Sequence, residues 1–180
     1  MPANDTSASN GKKPSYKSRK KNDSLENFGH LQPQAVELEQ AVLGALMIER
    51  DAYYQVSEIL RPESFYDNRH QIIYEAIRRL NLEEKPVDIL TVTEALRNTN
   101  QLEEAGGPFY ITQLSGMVAS SAHIEYHARI IAQKATARAL ISYTSGIQTK
   151  AFDATTDIDV LMQEAEGKLF ELSQTNMKKH

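Results

Sequence analysis

The chain has no cysteine. Disulfides, thiol catalysis and thiolate metal sites are excluded together, and the composition fits a cytoplasmic protein. It also lacks any apolar run near the roughly 20 residues that span a bilayer, so no membrane partner is expected. Met1 to Asn10 is polar, unlike a secretory signal. Phosphate cradles are missing as well. A P-loop needs G-x-x-x-x-G-K-[ST], so that backbone amides surround the phosphates and the lysine reaches them. Gly167-Lys168 is the only Gly-Lys pair after Gly11-Lys12, but Leu169 follows it and Met162 stands where the first glycine should be. No G-x-G-x-x-G or G-x-S-x-G occurs either. These absences remove thiol chemistry and a P-loop nucleotide site, and no catalytic residues and no cofactor are expected in this chain.

What is present is distributed unevenly. Of 20 basic and 24 acidic side chains, six basic and two acidic lie in residues 1–24, which leaves 14 and 22 for the remainder, a net −8. A body this acidic is a poor electrostatic match to a phosphate backbone. Residues 1–27 are rich in Ser, Asn, Lys and Gly and cannot bury enough surface to offset ordering entropy, so they are expected to form a disordered basic tail. The stretch Lys17-Ser18-Arg19-Lys20-Lys21 could touch DNA or RNA, although such charge runs are usually only solvated.

Helical periodicity dominates the rest. Pro33 is placed to open a helix carrying Ala35, Leu38, Ala41, Val42, Ala45 and Leu46. Asp51 is expected to cap a short helix with Tyr54, Val56 and Ile59, which Arg61-Pro62 ends. Asp67 caps the next, with Ile72, Ile73, Ala76, Ile77 and Leu80 on one face, and Asp88 caps a helix through Val92, Ala95 and Leu96. Gly106-Gly107-Pro108 marks a sharp turn before Phe109, Tyr110, Ile111 and Leu114. No run of alternating β-branched residues predicts a strand.

From Ser121 the pattern predicts a much longer helix to about Ala151, interrupted by no proline and only by Gly146. Asp153-Ala154-Thr155-Thr156 then leads to Asp157, a cap for a final helix to about Gln174. Two long helices with a short loop predict an antiparallel hairpin. The fold class is therefore all-α: a compact helical body over residues 28–120, then a long antiparallel helical hairpin over 121–175. The long helix shows two apolar faces. One carries Ile124, Ala128, Ile131, Ala135, Ala139 and Gly146, and the other Tyr126, Ile130, Ala137, Leu140, Ile141 and Ile147. On the final helix Ile158, Leu161, Met162, Ala165, Leu169 and Leu172 fall within an arc of ~100° and should form the seam, with Phe170 outside it. A hairpin partner covers only one side, and an exposed apolar stripe invites association. Tyr126, Ile130, Leu140, Ile141, Ile147 and Phe170 are the expected contacts with a second copy.

Candidate metal ligands are sparse. His123 and His127 lie one helical turn apart, but a zincin helix needs Glu directly after the first His, and Glu125 is two places on. His123 is better explained as a helix-boundary residue, and no metal is expected. His70, among Ile72 and Ile73, suggests a hydrogen-bonded, half-buried histidine.

Several segments together resemble the N-terminal domain of bacterial replicative DNA helicases of the DnaB type. They are residues 35–46 (AVELEQAVLGAL), Leu60-Arg61-Pro62-Glu63-Ser64-Phe65-Tyr66 with His70, Ile73, Tyr74 and Ala76, and Val87-Asp88 with Thr91, Val92 and Leu96. Gly106-Gly107 with Tyr110 and Leu114 follow, then Tyr126-His127-Ala128-Arg129-Ile130-Ile131, then Glu164-Ala165-Glu166 with Leu169-Phe170. Their order and spacing over about Gln32 to Leu172 carry the resemblance, although His123 stands where that family usually has asparagine. The resemblance implies a collar on a ring-shaped hexamer, with hairpins pairing between subunits as dimers. It also implies docking of primase and, in some species, a helicase loader. Residues 176–180 would begin the linker to an ATPase domain outside this chain, which would hold ATP and Mg and grip single-stranded DNA. The rival readings are a free-standing helical adaptor, a metal-binding helical protein built on His123 and His127, and a nucleic-acid binder acting through the basic tail of residues 1–24. The chain itself is expected to bind no ATP stoichiometrically; calorimetry that returned a micromolar affinity would overturn the assignment of a nucleotide-free module.

Overall fold

The computed structural model describes residues 31–117 and 123–177. The expectations for the basic tail, for Ser121 and for Lys178 to His180 lie outside the described residues. Seven α-helices occur among the described residues, and no strand: α1 Val36–Ile48, α2 Ala52–Val56, α3 Asn68–Leu82, α4 Ile89–Asn98, α5 Gly107–Gly116, α6 Ile124–Phe152 and α7 Ile158–Met177. A 3-10 turn, Pro62–Ser64, joins α2 to α3. The all-α class read from periodicity holds.

The caps show where local sequence decided the outcome and where it did not. Asp67 and Asp88 have extended backbones, and their carboxylates accept from Arg69 N–H and Thr91 N–H. That geometry aims a side-chain oxygen at the unpaired amides of the first turn. The Thr91 hydroxyl in turn accepts from Asp88 N–H at 2.9 Å, closing a reciprocal box. Arg69 grips Asp67 and holds its carboxyl below the usual range. Two expectations fail. Asp51 precedes α2 but makes no cap, because its φ of −99° and ψ of 0° already turn as a helix does and carry the carboxylate away from the amides. Pro33 does not open α1, which starts at Val36; its carbonyl instead accepts a hydrogen bond from Arg138.

The body surrounds one core. Val42, Leu43 and Leu46 of α1 meet Ile73, Tyr74, Ile77 and Leu80 of α3, Val92 and Leu96 of α4, and Ile111 and Leu114 of α5. The first turns of α6 belong to it too, since Ile124, Ala128, Ile131 and Ala132 are buried there. The long helix is thus rooted in the body rather than attached to it. At 1.5 Å per residue its 29 residues extend about 43 Å. Beyond Arg138 its residues turn largely exposed, and α7 is the element that runs beside it.

The loop between them is set by two aspartates. Asp153 accepts from the backbone N–H and hydroxyl of Thr155, and Asp157 accepts from Asp159 N–H and Val160 N–H, which starts α7. The two helices run antiparallel, tied by Tyr143 Oη donating to the Glu164 carbonyl at 3.2 Å and by the Lys150–Glu164 ion pair. The apolar seam is narrower than the periodicity suggests. Leu161 is buried, and Ala165 and Leu172 are half-buried, but Ile158, Met162 and Leu169 remain about half exposed. The arc of ~100° is wider than the strip of α7 that one neighbouring helix can cover. Leu161→Asp would place a charge in the only fully covered position of that seam. We expect it to reduce helix content measured by circular dichroism; a spectrum matching the parent would show that the seam does not depend on Leu161.

Candidate assembly interface

Two arrangements in the molecule involve side chains that packing alone does not explain, one sealed and one open. The sealed one joins three helices. Glu39 sits on the α1 stripe with Val42, Leu43 and Leu46, and is 1% exposed; His70, on the α3 stripe with Ile73 and Ile77, is 0% exposed. Their side chains meet, with Glu39 Oε2 to His70 Nδ1 at 2.6 Å. The same carboxylate accepts from Tyr66 N–H at 2.7 Å and Asp67 N–H at 3.3 Å. An acceptor serving those donors leaves the proton on Nδ1, so Nε2 is free to accept from the Tyr110 hydroxyl of α5 at 2.7 Å. Gln40 Nε2 donates to the same hydroxyl at 3.4 Å. The Arg69 guanidinium lies 4.3 Å above the Tyr110 ring, within cation–π range.

A carboxylate, an imidazole and a hydroxyl in line resemble a nucleophile relay. Glu39 and His70, however, are closed to solvent, and neither lines the three grooves described on the body. With the carboxylate and imidazole buried and only the Tyr110 end partly exposed, the arrangement reads as a structural lock between three helices. Gly106 helps to build it. Its φ of +99° suits glycine, and a Cβ there would lie 2.7 Å from Tyr110 Cδ1 and push the ring out of line. Sequence reading underrated His70, which is fully rather than half buried, and passed over Glu39. The available signal was a carboxylate and an imidazole each occupying a core position of an apolar stripe, where an unpaired polar group is costly.

The open arrangement is the hairpin. Tyr126 and Phe170 are each 65% exposed, Leu140 and Ile141 are 42% and 44% exposed, and Ile130 and Ile147 are half-buried. Phe152, Ile158, Val160, Met162 and Leu169 extend the exposed apolar surface along the same two helices. A monomeric soluble protein seldom leaves so many large apolar side chains exposed on two helices without a partner. The other apolar face of α6 divides: Ile124, Ala128 and Ile131 enter the core, while Ala139 and Gly146 lie beyond it and are exposed.

The body carries a second open feature, a groove between the end of α1, α2 and the turn after α3. Ile48, Tyr53, Tyr54, Pro86 and Val87 line it among charged residues, and Ile48 and Tyr54 are exposed. His123 is exposed and His127 half-buried. Among the described residues no group of three or more His, Asp or Glu side chains is placed to hold a metal ion, and no helix is long and apolar enough to cross a membrane.

Comparison with known proteins bears on these surfaces. Residues 31–133 match the DnaB-like helicase N terminal domain. The chain is 49% identical over 86% of its length to a replicative DNA helicase DnaB from Rhodothermus marinus. It is 43% identical over 79% of its length to the corresponding protein of Geobacillus stearothermophilus. It spans 16% and 31% of those two relatives. Its fold is similar to the N-terminal domain of DnaB helicase from Mycobacterium tuberculosis, with a TM-score of 0.74 and 30% identity, covering 79% of this chain and 99% of that one. A structure of a DnaB-like replicative helicase and its interactions with primase aligns with a TM-score of 0.65 and 27% identity, covering 78% of this chain and 31% of that one.

The sealed lock yields a graded expectation. Glu39→Ala strands the buried His70 Nδ1–H and removes the acceptor of two part-buried backbone amides, and should lower the unfolding free energy by roughly 3 kcal/mol or more, at about 1–3 kcal/mol per stranded donor. Tyr110→Phe strands only Nε2 and should cost ~1–3 kcal/mol. Urea titration measures both, and equal small losses would show that the relay contributes little.

Proposed function

Because the chain belongs to the DnaB-like helicase N-terminal domain family, we propose that it is the assembly and docking element of a replicative DNA helicase. In this reading residues 28–120, packed with the first turns of α6, form the head, and the rest of the 121–175 hairpin forms the arm. Arms pair between copies, and paired copies build a hexameric collar. Tyr126, Ile130, Leu140, Ile141, Ile147 and Phe170 are assigned to the contact between copies. One observation carries the assignment: large apolar side chains stay exposed along a hairpin whose own seam buries little more than Leu161. Burying apolar area at ~25 cal/mol per Å² gives a second copy a clear thermodynamic reason to cover them.

The rest of such a protein would supply ATP hydrolysis with Mg, the grip on single-stranded DNA and the unwinding of duplex DNA. The collar would receive primase, and in some cells a loader. The acidic balance of residues 25–180 supports a protein partner over nucleic acid for this domain.

Sedimentation across a concentration series tests self-association. Phe170→Asp should keep the helix content of the parent and shift its association to higher concentration. A parent that stays monomeric throughout would remove the paired-arm reading. Primase docking is tested with the C-terminal region of the cognate primase. We expect weak binding to the isolated chain and tighter binding to a hexamer, in which several sites act together. Failure of both to bind would leave an assembly element alone.

A further inference from the structure

We propose that Arg138 is the positioning residue that fixes the direction in which the hairpin leaves the body, and so the geometry in which one copy meets another. The consequence for assembly rests on the paired-arm reading above; the positioning itself rests on the contacts of this side chain.

Arg138 stands where α6 changes character. Before it, Ile124, Ala128, Ile131 and Ala132 are sunk in the core; after it, Ala139, Leu140 and Ile141 are exposed. Its guanidinium spans two separate segments of the body. One nitrogen donates to the Pro33 carbonyl at 2.7 Å and the other to the Ser64 carbonyl at 2.8 Å. Its plane also approaches the Tyr66 ring, with the central carbon 5.5 Å from the ring centre. A helix anchored only by its buried end can swing about that end. A planar fork with two fixed acceptors on different segments removes that freedom, because both bonds are met in one orientation.

The segment it holds is itself rigid. Ser64 to Asp67 is gripped from α1 by Glu39, which accepts from the Tyr66 and Asp67 amides, and from α3 by Gln71, which donates to the Phe65 carbonyl at 2.8 Å. Arg138 takes the next carbonyl upstream. The hairpin is thereby referenced to the Glu39–His70–Tyr110 lock rather than to a mobile loop. Partial burial pushes the Arg138 guanidinium downward, and the nearby Glu39 carboxylate opposes that shift.

The absence of cysteine makes the test direct. Asn98→Cys on α4 and Ser145→Cys on the outer part of α6 place two spin labels at exposed sites. The labelled full chain, diluted into unlabelled chain, reports the distance within one copy by double electron–electron resonance. Arg138→Ala should broaden that distance distribution while thermal unfolding stays near that of the parent. Arg138→Lys should broaden it too, since one ammonium cannot reproduce a two-pronged bridge. Arg138→Gln serves if the alanine variant folds poorly. The freed hairpin should also self-associate about tenfold more weakly, because the lost orientation must be restored on pairing. A distribution as narrow in all three variants as in the parent would overturn the proposal. If the parent does not self-associate, the paired-arm reading fails, while broadening on substitution still supports Arg138 as the strut.

Discussion

The contact between the Glu39 carboxylate and the His70 imidazole, both sealed from water, is the constraint on which the rest of the body depends. Removing a carboxylate from solvent costs several kcal/mol, and a neutral imidazole adds a smaller cost, unless each polar atom finds a partner. Here each does: no buried side-chain nitrogen or oxygen among the described residues lacks a hydrogen bond. The relay passes from α1 through α3 to Tyr110 of α5, so a rotation or slide of any one helix breaks a bond, and at the buried Glu39–His70 contact water cannot replace it. Apolar packing of Val42, Ile73 and Ile111 tolerates small slips. The polar relay admits one register, and that specificity is its chief contribution.

The same carboxylate sets the backbone on which the hairpin rests. By receiving the Tyr66 and Asp67 amides, Glu39 fixes the strip that begins at Ser64, and Arg138 of α6 binds that strip from the other side. The lock and the arm are therefore one mechanical system. Outside the body the arm changes regime. Leu161 is its buried seam residue, with Ala165 and Leu172 half-covered, and its ties include the Lys150–Glu164 pair at the surface, where ion pairs contribute little. Two helices side by side leave most of each circumference open. The exposed leucine, isoleucine, methionine and phenylalanine side chains follow from that geometry, and the proposed pairing of copies would cover them.

Much of this was legible beforehand. Asp67 and Asp88 cap as expected because an aspartate with an extended backbone at a helix start interacts mainly with its own next turn. The hairpin was legible because Asp153 and Asp157 bracket a short loop between two proline-free periodic stretches. Asp51 and Pro33 misled for the opposite reason: their backbones answer to the packing of α2 and to Arg138, neither of which is local. On α7 the count of apolar positions was correct and the division between seam and surface was not. Periodicity gives the angle of each side chain about its own axis, and says nothing of how wide a strip the neighbour covers.

The order of polar, apolar and helix-breaking residues thus determined the helical class, the succession of elements, the two-faced arm and the lack of a nucleotide cradle, since each depends on neighbours within a few turns. The partner of Glu39, the burial of His70, the rooting of α6 in the core and the reach of Arg138 to Pro33 and Ser64 were decided only by the tertiary structure. These contacts join residues 31 to 105 positions apart. A buried charge in a sequence announces that it needs a counterpart, but the identity of that counterpart depends on which helices pack together.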